Sequence, residues 1–216
     1  MKNHKLGASL LSLDFLCLEK RIKDLINFGI DFFHIDIMDG NFVPNLSFSA
    51  KFVESIRVIS PKTPIDIHFM VTEKAFFNII DQFTVFKPEF ITVHREVISD
   101  LKYVKGMLTK KDIKMGVALN PEIGIDSITD AIDYIDLVLL MSVKAGFGGQ
   151  KFIDSTFKKI EDLSSLKRNF LIEVDGGIDL PISLKLKNCG VDLIVVGTNL
   201  VNSKDPEGFI KAFKNH

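Results

Sequence analysis

Cysteine is scarce in this chain, which has only Cys17 and Cys189 among 216 residues, and neither belongs to a CxxC pair. This usage argues against a disulfide framework and predicts the reduced thiols of a cytoplasmic protein. The sequence also lacks an apolar run near the ~20 residues of a membrane span, and it has no signal-peptide cleavage pattern. The formal net charge of −1 gives no reason to expect a nucleic acid or an anionic membrane as partner.

The composition that remains predicts one globular domain, residues 1–216. Apolar residues make up 46% and charged residues 25% of the chain, close to the averages of soluble proteins. The length suffices for one well-buried core, whereas two compact domains would be cramped. No linker or low-complexity segment suggests a boundary. His4 and His216 lie near the chain ends and are predicted to be solvated.

A short apolar strand followed by a longer amphipathic segment recurs along the chain. Strands are predicted at 6–10, Phe32–Met38, Ile65–Met70, Phe90–His94, Lys114–Leu119, 137–142, 170–175 and Leu193–Val196. Helices are predicted at 16–28, 74–86, 98–109 and 157–166, and from Pro181 to near Asn188. Eight units of about 27 residues predict an α/β fold, a single (β/α)8 or TIM barrel. A doubly wound open sheet would need a glycine-rich turn after its first strand, which is missing.

Three of the predicted strands carry polar residues where an ordinary strand interior would not. Side chains alternate between the two faces of a strand, and in these strands one face is apolar while the other carries metal-binding residue types. These residues are His34 and Asp36 with Met38, Asp66 and His68 with Met70, and Glu173 with Asp175. The pattern predicts a sheet covered outside by helices, with a reactive centre on its enclosed side.

The C-terminal ends of barrel strands meet at one shared site. They would bring together His34, Asp36, His68 and Asp175. Two imidazoles and two carboxylates suit one divalent ion such as Zn²⁺, Fe²⁺, Mn²⁺ or Co²⁺, and spacing does not choose among them. His94 also ends a strand. We interpret it as a neighbour of the ligands or of the substrate, and a role as spare ligand stays open.

Three methionines, Met38, Met70 and Met141, end predicted strands. Methionine commonly fills gaps in a core. Their position favours a second interpretation, an apolar collar that keeps water away from a planar anionic intermediate.

Glycines follow three consecutive strands, at Gly146-Phe147-Gly148-Gly149-Gln150, Gly176-Gly177 and Gly197-Thr198. Glycine lets backbone N–H groups approach an anion where a Cβ would obstruct it. The loops after strands 7 and 8 commonly hold a substrate phosphate in such barrels. The pattern predicts a phosphorylated small molecule as substrate. Lys144 precedes the first loop and either adds charge to it or is an ordinary surface lysine.

These segments resemble the ribulose-phosphate 3-epimerase family over nearly the whole chain. The matching motifs are, in order, Ala8-Ser9-Leu10-Leu11-Ser12 with Asp14-Phe15, His34-Ile35-Asp36-Ile37-Met38-Asp39-Gly40, Phe42-Val43-Pro44-Asn45, Ile67-His68-Phe69-Met70-Val71, Leu119-Asn120-Pro121, Met141-Ser142-Val143, Gly146-Phe147-Gly148-Gly149-Gln150 and Val174-Asp175-Gly176-Gly177. The resemblance implies a barrel with one catalytic divalent metal, whose ligands match His34, Asp36, His68 and Asp175, and in which the two carboxylates serve as acid and base. It also implies substrate contacts at Ser9, His68, Gly146, Phe147, Gly148, Gly149, Gly176, Gly177, Gly197 and Thr198.

The reaction expected from this resemblance inverts C3 of a ketose phosphate, foremost D-ribulose 5-phosphate to D-xylulose 5-phosphate in the pentose phosphate pathway. Asp36 and Asp175 would bracket a planar enediolate, one removing the C3 proton and the other returning a proton to the opposite face. The metal would stabilise the enediolate as a Lewis acid.

Departures from the family pattern leave the sugar open. Lys144-Ala145 replaces a usual Asn-Pro, while Ser49 and Thr198 are typical of the allulose-6-phosphate 3-epimerases, a close relative. Gly177, by contrast, follows the ribulose-phosphate enzymes, because the allulose relatives tend to have serine there. D-allulose 6-phosphate is therefore the alternative substrate.

Two other classes are less favoured by the sequence. A metal-dependent sugar-phosphate hydrolase would often carry a His-x-His pair after its first strand, where this chain has Ser9. A non-catalytic sugar-phosphate-binding barrel is the third reading. The sequence leaves two roles open for Phe152 and the aromatic stretch 209–213, namely self-association and packing in the core.

Overall fold

The computed structural model describes residues 4–166 and 168–215, so His216 lies outside the described residues. Eight parallel strands form a closed barrel in sequence order, with β1 paired to both β2 and β8. This confirms the predicted TIM barrel. The strands are β1 Lys5–Ser9, β2 Phe32–Met38, β3 Ile65–Met70, β4 Phe90–His94, β5 Lys114–Leu119, β6 Leu137–Met141, β7 Leu171–Asp175 and β8 Leu193–Val196.

Helices surround the barrel and follow most of its strands. They are α1 Leu18–Phe28, α2 Ala50–Ile59, α3 Glu73–Thr84, α4 Leu101–Thr109, α5 Thr156–Ser165, α6 Leu180–Asn188, α7 Thr198–Val201 and α8 Pro206–Asn215. Among the helices of the described ranges, none combines the length and apolar character needed to cross a membrane. On α8, Phe213 is fully buried and Phe209 nearly so, which matches the core role considered for these two side chains.

Local capping explains where the helices begin. The prediction started α1 at Leu16, but Asp14 caps a separate 3-10 turn, Phe15–Cys17, by accepting from the Leu16 N–H. The prediction started α4 at Ile98, but Asp100 accepts from the Tyr103 N–H and begins the helix at Leu101. Predicted strand bounds differ from those observed by one residue at most.

The fifth unit departs from the expected strand-then-helix pattern. Two 3-10 turns, Ile125–Ile128 and Ile132–Tyr134, take the place of an α-helix between β5 and β6. Pro121 and Gly124 are poor helix formers, and Asp and Ser residues follow them, which favours short turns. Lys159 on α5 stabilises this segment by donating to the carbonyl oxygens of Asn120, Pro121 and Ile123.

The barrel interior is apolar at its N-terminal end and polar at its C-terminal end. Phe32, Phe90, Leu137, Leu193 and Val195 pack together as an apolar floor. Above this floor the inward-facing residues are those that the sequence singles out, because alternation along each strand directs them to the same side as the floor residues. The fold therefore encloses a polar layer on an apolar base.

His4 is half-buried instead of solvated. Its Nδ1 lies 2.7 Å from the Val191 carbonyl oxygen, a contact beside the N-terminal end of β8.

Candidate metal centre and active site

Four side chains converge at the C-terminal end of the barrel. Strand pairing sets Asp36 on β2 beside His68 on β3, and it sets Asp175 on β7 beside Met141 on β6. His34, Asp36, His68 and Asp175 each offer one ligand atom, and these four atoms all lie within 4.8 Å of one another. The structure thus brings together the four residues that the sequence nominated as metal ligands.

The geometry of His34 fits a metal ligand. Its Nδ1 lies 2.7 Å from Oδ2 of Asp66, and a carboxylate there accepts the Nδ1 proton. Nε2 is buried and has no hydrogen-bond partner, and in the neutral ring it carries the lone pair. It lies 3.4 Å from Oδ1 of Asp36. A ring whose outer nitrogen is held by a carboxylate and whose inner nitrogen faces other ligand types is the usual arrangement of a metal-binding histidine.

The four donors also fit a first-row divalent ion as a set. Two nitrogens and two carboxylates are ligands of Zn²⁺, Fe²⁺, Mn²⁺ and Co²⁺. Ligands at about 2.1 Å from one ion lie at most ~4 Å apart, close to the observed spread. His34, Asp36, His68 and Asp175 are therefore able to hold one such ion after small side-chain movements.

The two carboxylates of this cluster have opposite electrostatic environments. Burial would raise the pKa of Asp36, but His34 and His68 outweigh burial and hold it well below its usual range. Burial, with the charge of Asp36 adding to it and His34 opposing it, raises the pKa of Asp175 to about 7. Near neutral pH and without a metal ion, Asp36 is thus ionised, while Asp175 is able to carry a proton.

The pKa values of the two imidazoles in the cluster are also shifted in opposite directions. Burial would lower the pKa of His34, yet Asp36 and Asp66 outweigh it and raise that pKa. Burial lowers the pKa of His68 to about 4, so His68 is neutral near pH 7. A neutral imidazole is the form that binds metals.

A second acidic group lies beneath the cluster. Glu173 is fully buried, and neither of its carboxylate oxygens has a hydrogen-bond partner. Its Oε1 lies 3.6 Å from Nδ1 of His34. Burial raises the pKa of Glu173 to about 8, and the charge of Asp66 adds to the shift.

The structure places His94 outside the four-ligand cluster. Its Nε2 faces Nε2 of His68 at 2.9 Å, and its Nδ1 faces Oε1 of Glu96 at 3.1 Å. Among the residues that the structure describes, the metal-capable groups found do not include His94. Its position fits the interpretation as a neighbour of a ligand better than that of a spare ligand.

The three methionines meet above the metal-capable cluster. Met38, Met70 and Met141 are buried in an apolar group that is distinct from the core between strands and helices. All three line a cavity of about 150 Å³ at the C-terminal end of the barrel. They fill the interior and also form a wall of the cavity, while their role in excluding water from an intermediate stays a prediction.

The same cavity is lined by Asp36 and Asp175 together with the glycine loops. Its lining includes Ser9, Lys144, Gly146, Phe147, Gly148, Gly149, Gly176, Gly177, Gly197 and Thr198. Ser9 donates to Oδ2 of Asp36 at 3.0 Å. His34 and His68 are fully buried and are not in the lining, so the substrate contact expected of His68 is indirect in this arrangement.

The glycine loops depend on their glycines. Gly177 has a φ of +62°, and a Cβ on it would meet Phe152 N at 2.4 Å and Gln150 O at 2.7 Å. Both are backbone atoms and cannot swing aside. Gln150 in turn donates to the carbonyl oxygens of Lys144 and Phe147, which fixes the loop between them.

Several cavity residues escaped the sequence analysis. Ser12 shares a hydrogen bond of 2.9 Å with the Thr198 hydroxyl and lies beside Gly148. Its position three residues after Ser9 in the first matched motif was the available indication. The other lining residues that were not predicted are Leu11, Val143, Ala145, Gln150, Ile178 and Asn199.

Comparison with known proteins gives a match over almost the entire chain. Residues 5–201 match the model of the family described as Ribulose-phosphate 3 epimerase family. The chain belongs to the ribulose-phosphate 3-epimerase family. This confirms the resemblance that the motifs suggested.

Relatives within this family are similar over most of their length. The ribulose-phosphate 3-epimerase of Helicobacter pylori strain J99 is 36% identical, over 98% of this chain and 97% of the relative. That of Bacillus subtilis strain 168 is 36% identical, over 93% and 94% respectively. The chloroplastic ribulose-5-phosphate-3-epimerase of Arabidopsis thaliana is 35% identical, over 96% of this chain and 75% of the plant protein.

Two solved structures that are only 15–17% identical to this chain share its fold, and the similarity shows no more than the fold. KGPDC from Streptococcus mutans superposes with a TM-score of 0.72 at 17% identity, over 99% of this chain and 97% of that one. A mutant tryptophan synthase alpha-subunit from Pyrococcus furiosus gives 0.72 at 15% identity, over 99% and 97%.

Proposed function

We propose that this protein is a metal-dependent ketose-phosphate 3-epimerase that interconverts D-ribulose 5-phosphate and D-xylulose 5-phosphate. The observation that carries the proposal is the pair Asp36 and Asp175, which come from strands on different sides of the barrel and line one cavity. Their pKa values are moved in opposite directions by their surroundings. Two carboxylates tuned apart in this way are suited to be base and acid of one proton transfer.

Epimerisation at C3 needs a group on each face of the carbon. Asp36, ionised near pH 7, would accept the C3 proton, and Asp175 would return a proton to the opposite face. The roles exchange in the reverse reaction. The Ser9 hydroxyl, which donates to Oδ2 of Asp36, orients this carboxylate toward the cavity.

The metal that the family match and the donor set suggest would be held by His34, Asp36, His68 and Asp175. When bound, such an ion supplies Lewis-acid stabilisation of the negative charge that develops on the sugar oxygens. Met38, Met70 and Met141 would exclude water from the same region, because their side chains offer no exchangeable proton and no strong acceptor.

The phosphate is the group that the glycine loops would bind. Backbone N–H groups can approach an anion closely at Gly146, Gly148, Gly176 and Gly177, and the Thr198 hydroxyl adds a donor. Holding the phosphate fixes C3 between the two carboxylates, and such positioning is a large part of many enzymatic rate enhancements.

Gly177 supports a pentulose over a hexulose. Serine, which the allulose-6-phosphate enzymes tend to have at this position, would bring its Cβ into backbone atoms of residues 150–152. The names of the full-length relatives point the same way. D-allulose 6-phosphate stays the alternative because Ser49 and Thr198 are typical of its enzymes. Cytoplasmic location and self-association stay predictions.

The test is an epimerisation assay with D-ribulose 5-phosphate and D-allulose 6-phosphate in parallel, run in D₂O after loading with metal. We expect faster turnover of the pentulose, deuterium at C3 of the product and no free phosphate. Phosphate release without deuterium uptake would instead indicate a hydrolase, and binding without either would indicate a non-catalytic barrel.

Two variants test the carboxylates separately. Asp36→Asn and Asp175→Asn are each expected to lower kcat about 10²–10⁴-fold, the usual contribution of a positioned acid or base. The matched control is Asp133→Asn at an exposed aspartate. Metal content is measured for each variant, so that loss of the ion is separated from loss of the proton carrier. A near-normal kcat in either variant with metal bound would refute the two-carboxylate scheme.

A further inference from the structure

His94 is the buried histidine that the four-ligand cluster leaves unused. Its ring lies against those of His68 and Phe42, with ring centroids 4.9 and 4.7 Å away. Nε2 of His94 is 2.9 Å from Nε2 of His68, and Nδ1 is 3.1 Å from Oε1 of Glu96. His94 therefore joins one of the four clustered side chains to a carboxylate.

Glu96 determines which atoms donate and which accept in the series of contacts from Glu96 through His94 to His68. The same Oε1 accepts from Nδ2 of Asn120 at 2.6 Å. As an acceptor, it receives the Nδ1 proton of His94. A neutral His94 then has its lone pair on Nε2 and accepts the Nε2 proton of His68. A neutral His68 is left with a lone pair on Nδ1, the nitrogen that faces Asp36.

Three potential ligand atoms consequently face one another inside the barrel. Nδ1 of His68 lies 3.2 Å from Oδ1 of Asp36, and Nε2 of His34 lies 3.4 Å from the same oxygen. The Nδ1 proton of His34 points away from these atoms toward Asp66, as the Nε2 proton of His68 points toward His94. With the outer nitrogen of each ring engaged in this way, the two inner nitrogens and the carboxylate oxygen between them are left as ligands for one cation.

We propose that His94 and Glu96 are positioning residues that hold His68 in the tautomer whose Nδ1 is free to bind a divalent cation. This inference rests on the metal site of the proposed function. Hydrogen-bond partners of metal-binding histidines typically change metal affinity 10–100-fold when they are removed.

Asn120, which donates to Glu96, is itself held in place at the C-terminal end of the barrel. Oδ1 of Asn120 accepts from the Ala145 N–H at 3.2 Å, and Ala145 immediately precedes Gly146. The carbonyl oxygen of Asn120 accepts from Lys159 at 3.1 Å. Glu96 is thus held by a residue that is itself fixed on two sides, which suits a role in positioning.

Zn²⁺ affinity measured by competition with a chromophoric chelator tests the proposal. His94→Phe keeps an aromatic ring against Phe42 but removes the acceptor, and we expect Zn²⁺ to bind about 10–100-fold more weakly. Glu96→Leu is expected to act in the same direction. Glu96→Gln keeps an oxygen that accepts from His94 and is expected to stay close to the wild type. The matched control is His4→Phe, which also removes a half-buried histidine that contacts a carbonyl oxygen.

Proton positions provide a readout that does not depend on affinity or activity. Long-range ¹H–¹⁵N correlation spectra of the Zn²⁺-loaded protein should show His94 protonated on Nδ1 alone and His68 on Nε2 alone. Urea unfolding of the chelator-treated variants checks that each one folds.

Zn²⁺ binding by His94→Phe as tight as that of the wild type, or a His94 protonated on Nε2, would overturn the inference and leave the proposed function intact. A wild-type protein that binds no divalent cation would overturn both.

Discussion

Replacing Glu173 with glutamine should stabilise the metal-free protein at alkaline pH and change it little near pH 4. Glu173 is fully buried above the apolar floor, and its two carboxylate oxygens have no hydrogen-bond partner. An ionised carboxylate in such surroundings is costly, because burial removes its hydration and Asp66 repels it. Glutamine has the same shape without the charge.

The sign of the effect follows from the direction of the shift. The pKa of Glu173 rises from 4.5 to about 8 on folding, so the native state keeps a proton that the unfolded chain has lost. Stability associated with this proton is fully present below pH 4.5 and is lost as the pH rises through about 8. The shift corresponds to an upper bound of about 5 kcal/mol at 1.36 kcal/mol per pKa unit. Because relaxation and water entry reduce such penalties, we expect about 2–4 kcal/mol.

Urea unfolding of chelator-treated protein, followed by circular dichroism, measures this difference, since the chain has no tryptophan to report by fluorescence. The free energy of unfolding of Glu173→Gln minus that of the wild type should be small at pH 4 and should grow until about pH 8. Glu122→Gln, at an exposed glutamate, should show no such growth. A difference that is independent of pH, or that shrinks as the pH rises, would refute the reasoning.

Two further predictions concern the rim of the cavity. Gly177→Ala should destabilise the protein by at least about 1 kcal/mol in urea unfolding and raise KM, because φ at 177 is +62° and the new Cβ meets backbone atoms of residues 150–152. An unchanged KM would show that this loop does not help to bind the phosphate. Lys144→Ala should raise KM up to about fivefold and leave kcat unchanged in steady-state kinetics, since an exposed charge contributes about 1 kcal/mol or less. A lower kcat at unchanged KM would contradict this role.

Most of the barrel could be predicted because each strand is recognisable from a short segment of the sequence. Short apolar runs defined the strands, alternation of apolar and polar residues singled out three of them, and the count of strand-then-helix units selected a closed barrel. Helix starts were less accurate. They depended on single caps, such as Asp100 accepting from the Tyr103 N–H, which a periodic pattern does not reveal. The fifth connection was missed for a different reason, because Pro121 and Gly124 act against the helix that the repeated pattern of strand and helix predicts.

The candidate site was predictable only as far as residue types at strand ends. Alternate residues of β2, β3 and β7 share one face of each strand, and this was enough to predict the four clustered side chains. The closed barrel brings the ends of these strands together. It could not reveal which neighbour orients each imidazole. The contact of His34 with Asp66 and that of His68 with His94 both depend on the shear between adjacent strands, which no single segment encodes.

The enclosed layer as a whole conflicts with the rules of a stable core. The four carboxyl groups around His34 and His68 are those of the buried Asp36, Asp66 and Glu173 and of the half-buried Asp175. Proton uptake relieves part of the repulsion, which is why the pKa values of Glu173 and Asp175 are raised. A divalent cation among the same groups would relieve more of it, and binding to the folded state alone would stabilise that state by mass action. Local violations of folding rules are expected at functional sites. In this barrel the buried polar layer favours a bound cation for two reasons. The carboxyl groups supply excess negative charge, and the outer imidazole nitrogens direct their protons away from the cluster.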